Sequence, residues 1–324
     1  MHCELVVPGL FSAETFPRLP ALELLLARGR RAGSDPASLE AWLAGRFGLG
    51  DDPLPMGALT VFASGRDPGM VRWARADPVH LRLLRDRMVI VPAAAFPISG
   101  EEATALVATL NAHFAGRLEF EAAAPDRWIV RLSMEAPLGD ASPLDVAGRS
   151  LAPGKADALA NEIQMVLHEH PVNEAREARG EPAVNSLWLW GAGVAPRGAS
   201  GAWESVASDE PAGVGLARAA GLRSRPLPAT ADAWIDRLPA EGRQLAVLDS
   251  LRASIALSDP ALPERLLELE TKWFAPLLAA LRAGRIGMVT VHVPEAGASS
   301  ETIRADLRRF WRRPKPLRRS TIAP

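Results

Sequence analysis

The chain has 324 residues, 48% of them hydrophobic, with 37 Lys and Arg against 38 Asp and Glu. That length and apolar content can bury a sizeable core, and they exclude a largely disordered chain or a disulfide-framed one, because the one cysteine, Cys3, has no intrachain partner. No run approaches the roughly 20 apolar residues of a membrane helix, and the first residues carry no signal-peptide pattern, so a cytoplasmic protein with no membrane partner is expected.

In chain order, strand-like runs lie at 3–8, 58–63, 88–92, 128–133, 186–190, 244–248 and 286–293. Helical patterns lie at 20–31, 37–46, 100–115, 156–169, 230–238, 262–283 and 299–311. The strand-helix alternation predicts an α/β fold with a mainly parallel sheet flanked by helices. Turn-rich segments at 48–57, 136–155 and 194–213 mark the joints. The expected organisation is a first part of the α/β domain at 1–85, an inserted α+β lobe at 86–185, a second part of the α/β domain at 186–307 and a basic tail at 308–324. In 262–283, Leu266, Leu267, Leu269, Trp273, Phe274, Leu277, Leu278 and Leu281 recur at helical spacing, Gly284 supplies the stop, and Pro276 predicts a kink or break.

The tail reads RRFWRRPKPLRR from Arg308 to Arg319, with seven basic residues and no acidic one. Removing those seven leaves 30 basic against 38 acidic residues, a body of net charge −8, so the tail is electrostatically a separate object. Seven cations could give salt-sensitive contacts to phosphates, but an acidic body opposes them and a terminal basic run is more often solvated. Nucleic acid is not the expected partner.

The densest set of unusual residues runs from Asn161 to Gly193. It predicts a helix, a Pro171-Val172-Asn173 break, a short second helix stopped by Gly180, and an aromatic strand entering Gly191-Ala192-Gly193. His168 and His170 stand about 200° apart on a helix and cannot share an ion, and no third ligand is spaced for one, so no metal is expected. His170, Asn173, Arg176 and Asn185 are candidates for an anion site, because Pro171 opens a helix whose free N–H groups favour negative charge. The alternative is that His170 and Asn173 cap and brace the turn. Arg75 and His80, with Arg72, Arg82, Arg85 and Arg87 around Asp77-Pro78, form a second cluster that is either a solvated basic face or a phosphate-binding one. Trp188 and Trp190 share one strand face as core or as a stacking surface. No nucleophile elbow, P-loop, zinc-protease motif or dinucleotide fingerprint occurs, so no catalytic residue and no cofactor are assigned.

His170-Pro171-x-Asn173, Arg176, Gly180, Asn185 and Gly191-Ala192-Gly193 resemble the archaeal-type cofactor-independent phosphoglycerate mutases. Ile98-Ser99-Gly100-Glu101-Glu102-Ala103 resembles the start of the domain inserted into those enzymes, and 215–222 their Gly-Leu-Ala helix. The resemblance implies an alkaline-phosphatase-like fold with a two-metal centre and a Ser or Thr nucleophile. This chain departs from that pattern: Trp190 stands for an Arg, Val214 for a Lys, Pro8-Gly9 for Asp-Gly after the first strand, and Leu19 precedes Pro20 where the nucleophile belongs. No histidine lies between His170 and His292.

Arg75-Ala76-Asp77-Pro78-Val79-His80-Leu81, Asn161-Glu162-Ile163-Gln164-Met165 and the 185–191 strand also resemble the RpfE-type regulatory proteins of bacteria. These departures and resemblances predict a non-catalytic regulatory protein, a pseudoenzyme that takes a small phosphorylated metabolite or a protein partner. An active metal-dependent phosphoglycerate mutase or phosphoesterase is the alternative.

Overall fold

The computed structural model describes residues 1–85, 87–133, 138–151 and 158–318. The chain divides into two compact units, unit 1 being Met1–Asp52 with Gly198–Pro324 and unit 2 being Pro53–Arg197.

Unit 1 begins with β1 (His2–Val6), buried from residue 3 onward as a strand covered on both faces is. α1 (Pro20–Arg28) opens on a proline, where a missing N–H costs nothing, and buries its residues 21–26. β2 (Arg30–Gly33) follows, then α2 (Leu39–Arg46), whose Ser38 cap accepts from the Ala41 N–H.

Unit 2 contains α3 (Met56–Ala63), β3 (Trp73–Leu83), β4 (Met88–Pro92), α4 (Gly100–His113), β5 (Leu118–Ala124), β6 (Arg127–Leu132), α5 (Pro143–Val146), β7 (Ser150–Leu151), α6 (Ala158–His168), α7 (Pro171–Ala178) and β8 (Ser186–Gly193). Its sheet runs β5-β6-β3-β4-β7, with β8 also paired to β3, and every pairing is antiparallel. α4 begins with a capping box between Ser99 and Glu102. Leu106, Leu110 and Phe114 then pack with Trp128, Ile163 and Leu167 in one apolar cluster.

Unit 1 resumes with β9 (Ser205–Ala207), α8 (Pro211–Ala219), β10 (Arg223–Arg225), α9 (Ala231–Ile235), β11 (Arg243–Val247), α10 (Leu251–Ala256), α11 (Leu262–Leu269), α12 (Ala275–Ala283), β12 (Met288–Val293) and β13 (Ala298–Ile303). Its sheet is ordered β10-β9-β11-β1-β12-β13-β2. The first five strands are mutually parallel, while β13 and β2 join antiparallel at one edge. The fold is therefore α/β with a mixed sheet. Among the described residues, no helix is long and apolar enough to cross a membrane.

Several expectations change. The unit inserted into the mixed-sheet unit spans 53–197 rather than 86–185, because β3 and β8 pair with each other inside it. The apolar run 58–63 is helical, a short run that periodicity alone does not separate from a strand. Residues 298–303 form a strand alternating buried and half-buried, and only a short 3₁₀ turn follows at Arg304–Arg308, so the helix expected at 299–311 is replaced by a period of two. The break expected at Pro276 is a π-helical turn at Glu270–Phe274, which joins α11 to α12 and absorbs the missing proline donor. The joint at 136–155, the start of the helix at 156–169 and the tail end from 319 lie partly or wholly outside the described residues.

The tail is docked as far as it is described. Leu317 enters the unit 1 core, and Arg309 and Arg312 donate to the Arg28 and Gly29 carbonyls at 3.0 Å. Cationic side chains on the last carbonyls of α1 are favoured by the helix dipole.

Candidate functional site

Unit 2 gathers the residues singled out between 168 and 193. His170 is the N-cap of α7: Nδ1 accepts from the Val172 N–H at 3.1 Å, so the proton of the neutral ring sits on Nε2, 3.0 Å from Thr109 Oγ1. Burial lowers the His170 pKa from its ordinary value, which keeps that neutral form.

Asn173 and Asn185 each behave like a piece of strand backbone. Asn173 Oδ1 accepts from the Val184 N–H at 2.8 Å, and Nδ2 donates to the Val184 and Leu167 carbonyls at 2.9 and 2.8 Å. Asn185 pairs in the same way with both polar groups of Leu81, at 2.7 and 3.0 Å. Truncating Asn173 to alanine orphans buried peptide groups, at an expected cost of about 1–3 kcal/mol in urea unfolding, and Asn185→Ala, whose partner Leu81 is half-buried, should cost less.

Arg176 has 0% exposure, where an anion site needs a reachable cation. Its Nε donates to the Pro182 carbonyl at 2.8 Å, Nη1 to Glu102 at 2.8 Å and Nη2 to the Pro97 carbonyl at 3.0 Å. Phe96 lies against the guanidinium, its ring centre 5.6 Å away. The expected anion pocket is thus a brace tying α7 to the start of α4.

The second cluster separates. Arg75 is buried and holds Asp77 through Nε at 3.1 Å and Nη2 at 2.6 Å, while Trp190 Nε1 donates to the other Asp77 oxygen at 2.7 Å and its ring lies under the guanidinium at 5.4 Å. Trp190 therefore serves a buried ion pair. His80 Nδ1 donates to the Ala183 carbonyl at 2.9 Å. Gly191-Ala192-Gly193 also has a packing role: Gly191 has φ +57°, and an added Cβ would lie 2.6 Å from Met56 Cβ, so glycine lets β8 approach α3.

In unit 1 the C-terminal ends of β9, β11, β1 and β12 lie at one edge of the sheet. The turns after them bear Ser208 and Asp209, Asp249, Ser12, and Glu295. A cleft of about 300 Å³ there is lined by Gly9, Phe11, Ser12, Val293, Glu295 and Ala296. Gly9 sits at φ +76°, where a Cβ would meet Ile255 Cδ1 at 2.2 Å, and its N–H donates to Glu295 Oε2 at 3.0 Å. Glycine is required for that turn, which places the Glu295 carboxylate at the rim.

Deeper in the same sheet, Glu4 is 1% exposed and accepts from Arg243 Nε at 2.7 Å, with His292 Nε2 at 3.1 Å and the Trp42 ring against His292 at 5.0 Å. Burial by itself raises the Glu4 carboxyl, but the His292 and Arg243 hydrogen bonds and the neighbouring positive charge overcome it and hold it at about 2. The sequence reading passed over this cluster; its one signal was a glutamate inside an otherwise apolar first strand.

At the start of α1, Leu19 is fully buried. The helix's leading N–H groups are taken by carboxylates of the chain itself: Glu23 accepts from Leu19 N, and Glu270 accepts from Ala21 N at 2.5 Å and Leu22 N at 3.2 Å. Glu270 is presented by the π-helical turn. Among the described residues, no three His, Cys, Asp or Glu side chains converge as a metal-holding group, so the donors present do not fit a two-ion centre.

No family model matches the chain. It is 29% identical over 202 residues to a 2,3-bisphosphoglycerate-independent phosphoglycerate mutase of Methanosarcina mazei, which covers 56% of this chain and 49% of that protein. It is 50% identical over 42 residues to a probable enzyme of the same name from Geobacter sulfurreducens, covering 13% of this chain and 10% of that one. The chain thus spans about half the length of the Methanosarcina relative. The solved structure of the PH0037 protein from Pyrococcus horikoshii superposes with a TM-score of 0.58 at 15% identity, over 93% of this chain and 87% of that one, and shares the fold. Relatives that carry enzyme names overturn the expectation of a non-catalytic regulatory pseudoenzyme. The chain is a distant homologue of the 2,3-bisphosphoglycerate-independent phosphoglycerate mutases.

Proposed function

We propose that the chain is an enzyme of phosphoryl-group chemistry acting on a small phosphorylated metabolite, with an alkaline-phosphatase-like sheet that presents its substrate site at the C-terminal ends of β9, β11, β1 and β12. The observation that carries this reading is the relationship to phosphoglycerate mutases over 202 residues. Fold physics supports the location, since ligands of open α/β sheets bind outside the carboxyl ends of parallel strands.

The cleft between the turns after β1 and β12 has the size of a small metabolite and brings a hydroxyl, Ser12, to the same lining as a carboxylate, Glu295. A hydroxyl can accept or position a phosphoryl group, and a carboxylate can take its proton.

Turnover of p-nitrophenyl phosphate and of 3-phosphoglycerate by the wild type, Ser12→Ala and Glu295→Gln tests the assignment. Glutamine keeps an oxygen for the Gly9 N–H, so the turn stays intact while the base is lost. Each variant is expected to lose about 10²-fold or more in kcat/KM. Equal rates for all three proteins contradict the assignment.

A further inference from the structure

A second, larger cavity than the Glu295 cleft lies elsewhere in unit 1. It is an open cleft of about 1180 Å³ bordered by the end of α1, the start of β2 and the docked tail. β2 contributes Arg30 and Arg31 to its lining, and the tail contributes Arg312, Arg313, Lys315 and Arg318. The lining has one carboxylate, Glu23, which is engaged by Arg18 at 2.8 Å. Arg30 pairs with Glu301 outside the lining. Arg312 keeps one nitrogen on the Gly29 carbonyl, which fixes the tail as a wall. Arg313 and Lys315 are exposed.

Two features narrow the ligand. The lining is basic along both β2 and the tail, its one carboxylate is already engaged by Arg18, and Arg313 and Lys315 stand exposed two residues apart, so the complement is repeated negative charge. Trp311 lines the cleft with 66% of its surface exposed, and Phe310 packs edge-on against it at 5.3 Å. A large apolar ring held in water beside guanidinium groups is a stacking platform, and bases supply the matching π-face. Cations contributed by both β2 and the tail, with an exposed aromatic ring among them, suit a strand whose phosphates and bases alternate along the cleft.

We propose that this cleft binds single-stranded nucleic acid, with its Arg and Lys side chains on successive phosphates and Trp311 against a base. A docked tail makes this a shaped surface rather than a solvated run of charge.

The test uses the full chain and a fluorescently labelled twelve-residue oligothymidylate, with anisotropy read across a salt series. Wild type is expected to bind at low salt and to weaken steeply as salt rises. Arg313→Ala/Lys315→Ala should weaken binding at least tenfold and flatten the log–log salt slope by about 1.4, at about 0.7 per phosphate contact on a single strand. Trp311→Ala should weaken it by about 5- to 150-fold with the slope kept, the range of one lost base stack. All three positions are exposed, and unchanged melting temperatures confirm that folding is intact.

Failure of wild type to bind, or equal binding by the variants, overturns the proposal. Inorganic polyphosphate that competes as well as the oligonucleotide, with Trp311→Ala silent, overturns the nucleic-acid assignment. Capture by phosphatidylserine vesicles without oligonucleotide binding overturns it in favour of a membrane.

Discussion

Arg176→Ala is expected to destabilise the chain by about 2–4 kcal/mol, the cost of removing a fully buried arginine's hydrogen bonds and packing. The arginine has 0% exposure, and its three nitrogens satisfy Glu102 and the carbonyls of Pro97 and Pro182. Alanine leaves the Pro97 and Pro182 carbonyls without their side-chain donor and opens a void beside Phe96, while Glu102 keeps Arg179 and the Ser99 N–H. Arg176→Lys should recover only part of the loss, because one ammonium cannot span three acceptors spread over a planar fork. Urea unfolding followed by tryptophan fluorescence measures both. A loss below about 1 kcal/mol for Arg176→Ala contradicts the bracing role.

Acid is expected to weaken unit 1 through Glu4. Its carboxyl titrates at about 2 in the folded chain against an ordinary value of 4.5, so the unfolded chain binds the proton first. The stabilisation is complete above pH 4.5 and is lost as pH falls from there toward 2, on the order of 3 kcal/mol in all. His2 acts in the same direction at higher pH: burial lowers its pKa below 6.5, so acidification below that value also favours unfolding. Glu4→Gln should lower stability at pH 7 and flatten the pH dependence between 4.5 and 2. Melting temperatures of wild type and variant across pH 3 to 8 check this, and parallel curves contradict it.

How far the fold was legible depended on whether local pattern and tertiary setting agreed. The buried parallel strands β1, β11 and β12 are mostly apolar, and α4 and α6 show helical spacing, so local pattern located them. β3 was missed because Arg75, Asp77, Pro78 and His80 interrupt any apolar alternation, and the segment was read as a basic cluster, either a solvated face or a phosphate-binding one. In the fold, Arg75 and Asp77 neutralise each other against Trp190, and the strand is the centre of its sheet. β13 was missed because Ser299, Ser300, Glu301 and Thr302 carry weak strand signals, and only pairing with β12 and β2 fixes them.

The site was harder. The 168–193 segment stood out for residues that resist a generic explanation, and the structure places them together, but as hydrogen-bonded bracing. Polar residues that replace backbone in a turn and polar residues that bind a ligand leave the same trace in a sequence. Glu270, which accepts at the N-terminus of α1, lies 248 residues from its donor Leu22 N–H, beyond any motif window. The tail was read as a free run of charge because its docking depends on Leu317 and on the two carbonyls at the end of α1.

The most direct measurement of the central claim is a ³¹P NMR time course of 3-phosphoglycerate with the purified full chain, run with Mg²⁺, with Mn²⁺ and with chelator, beside Ser12→Ala. The account predicts appearance of 2-phosphoglycerate or inorganic phosphate with wild type and about 10²-fold slower conversion with Ser12→Ala. A spectrum that stays that of the starting ester under all three conditions, with folded protein throughout, contradicts it.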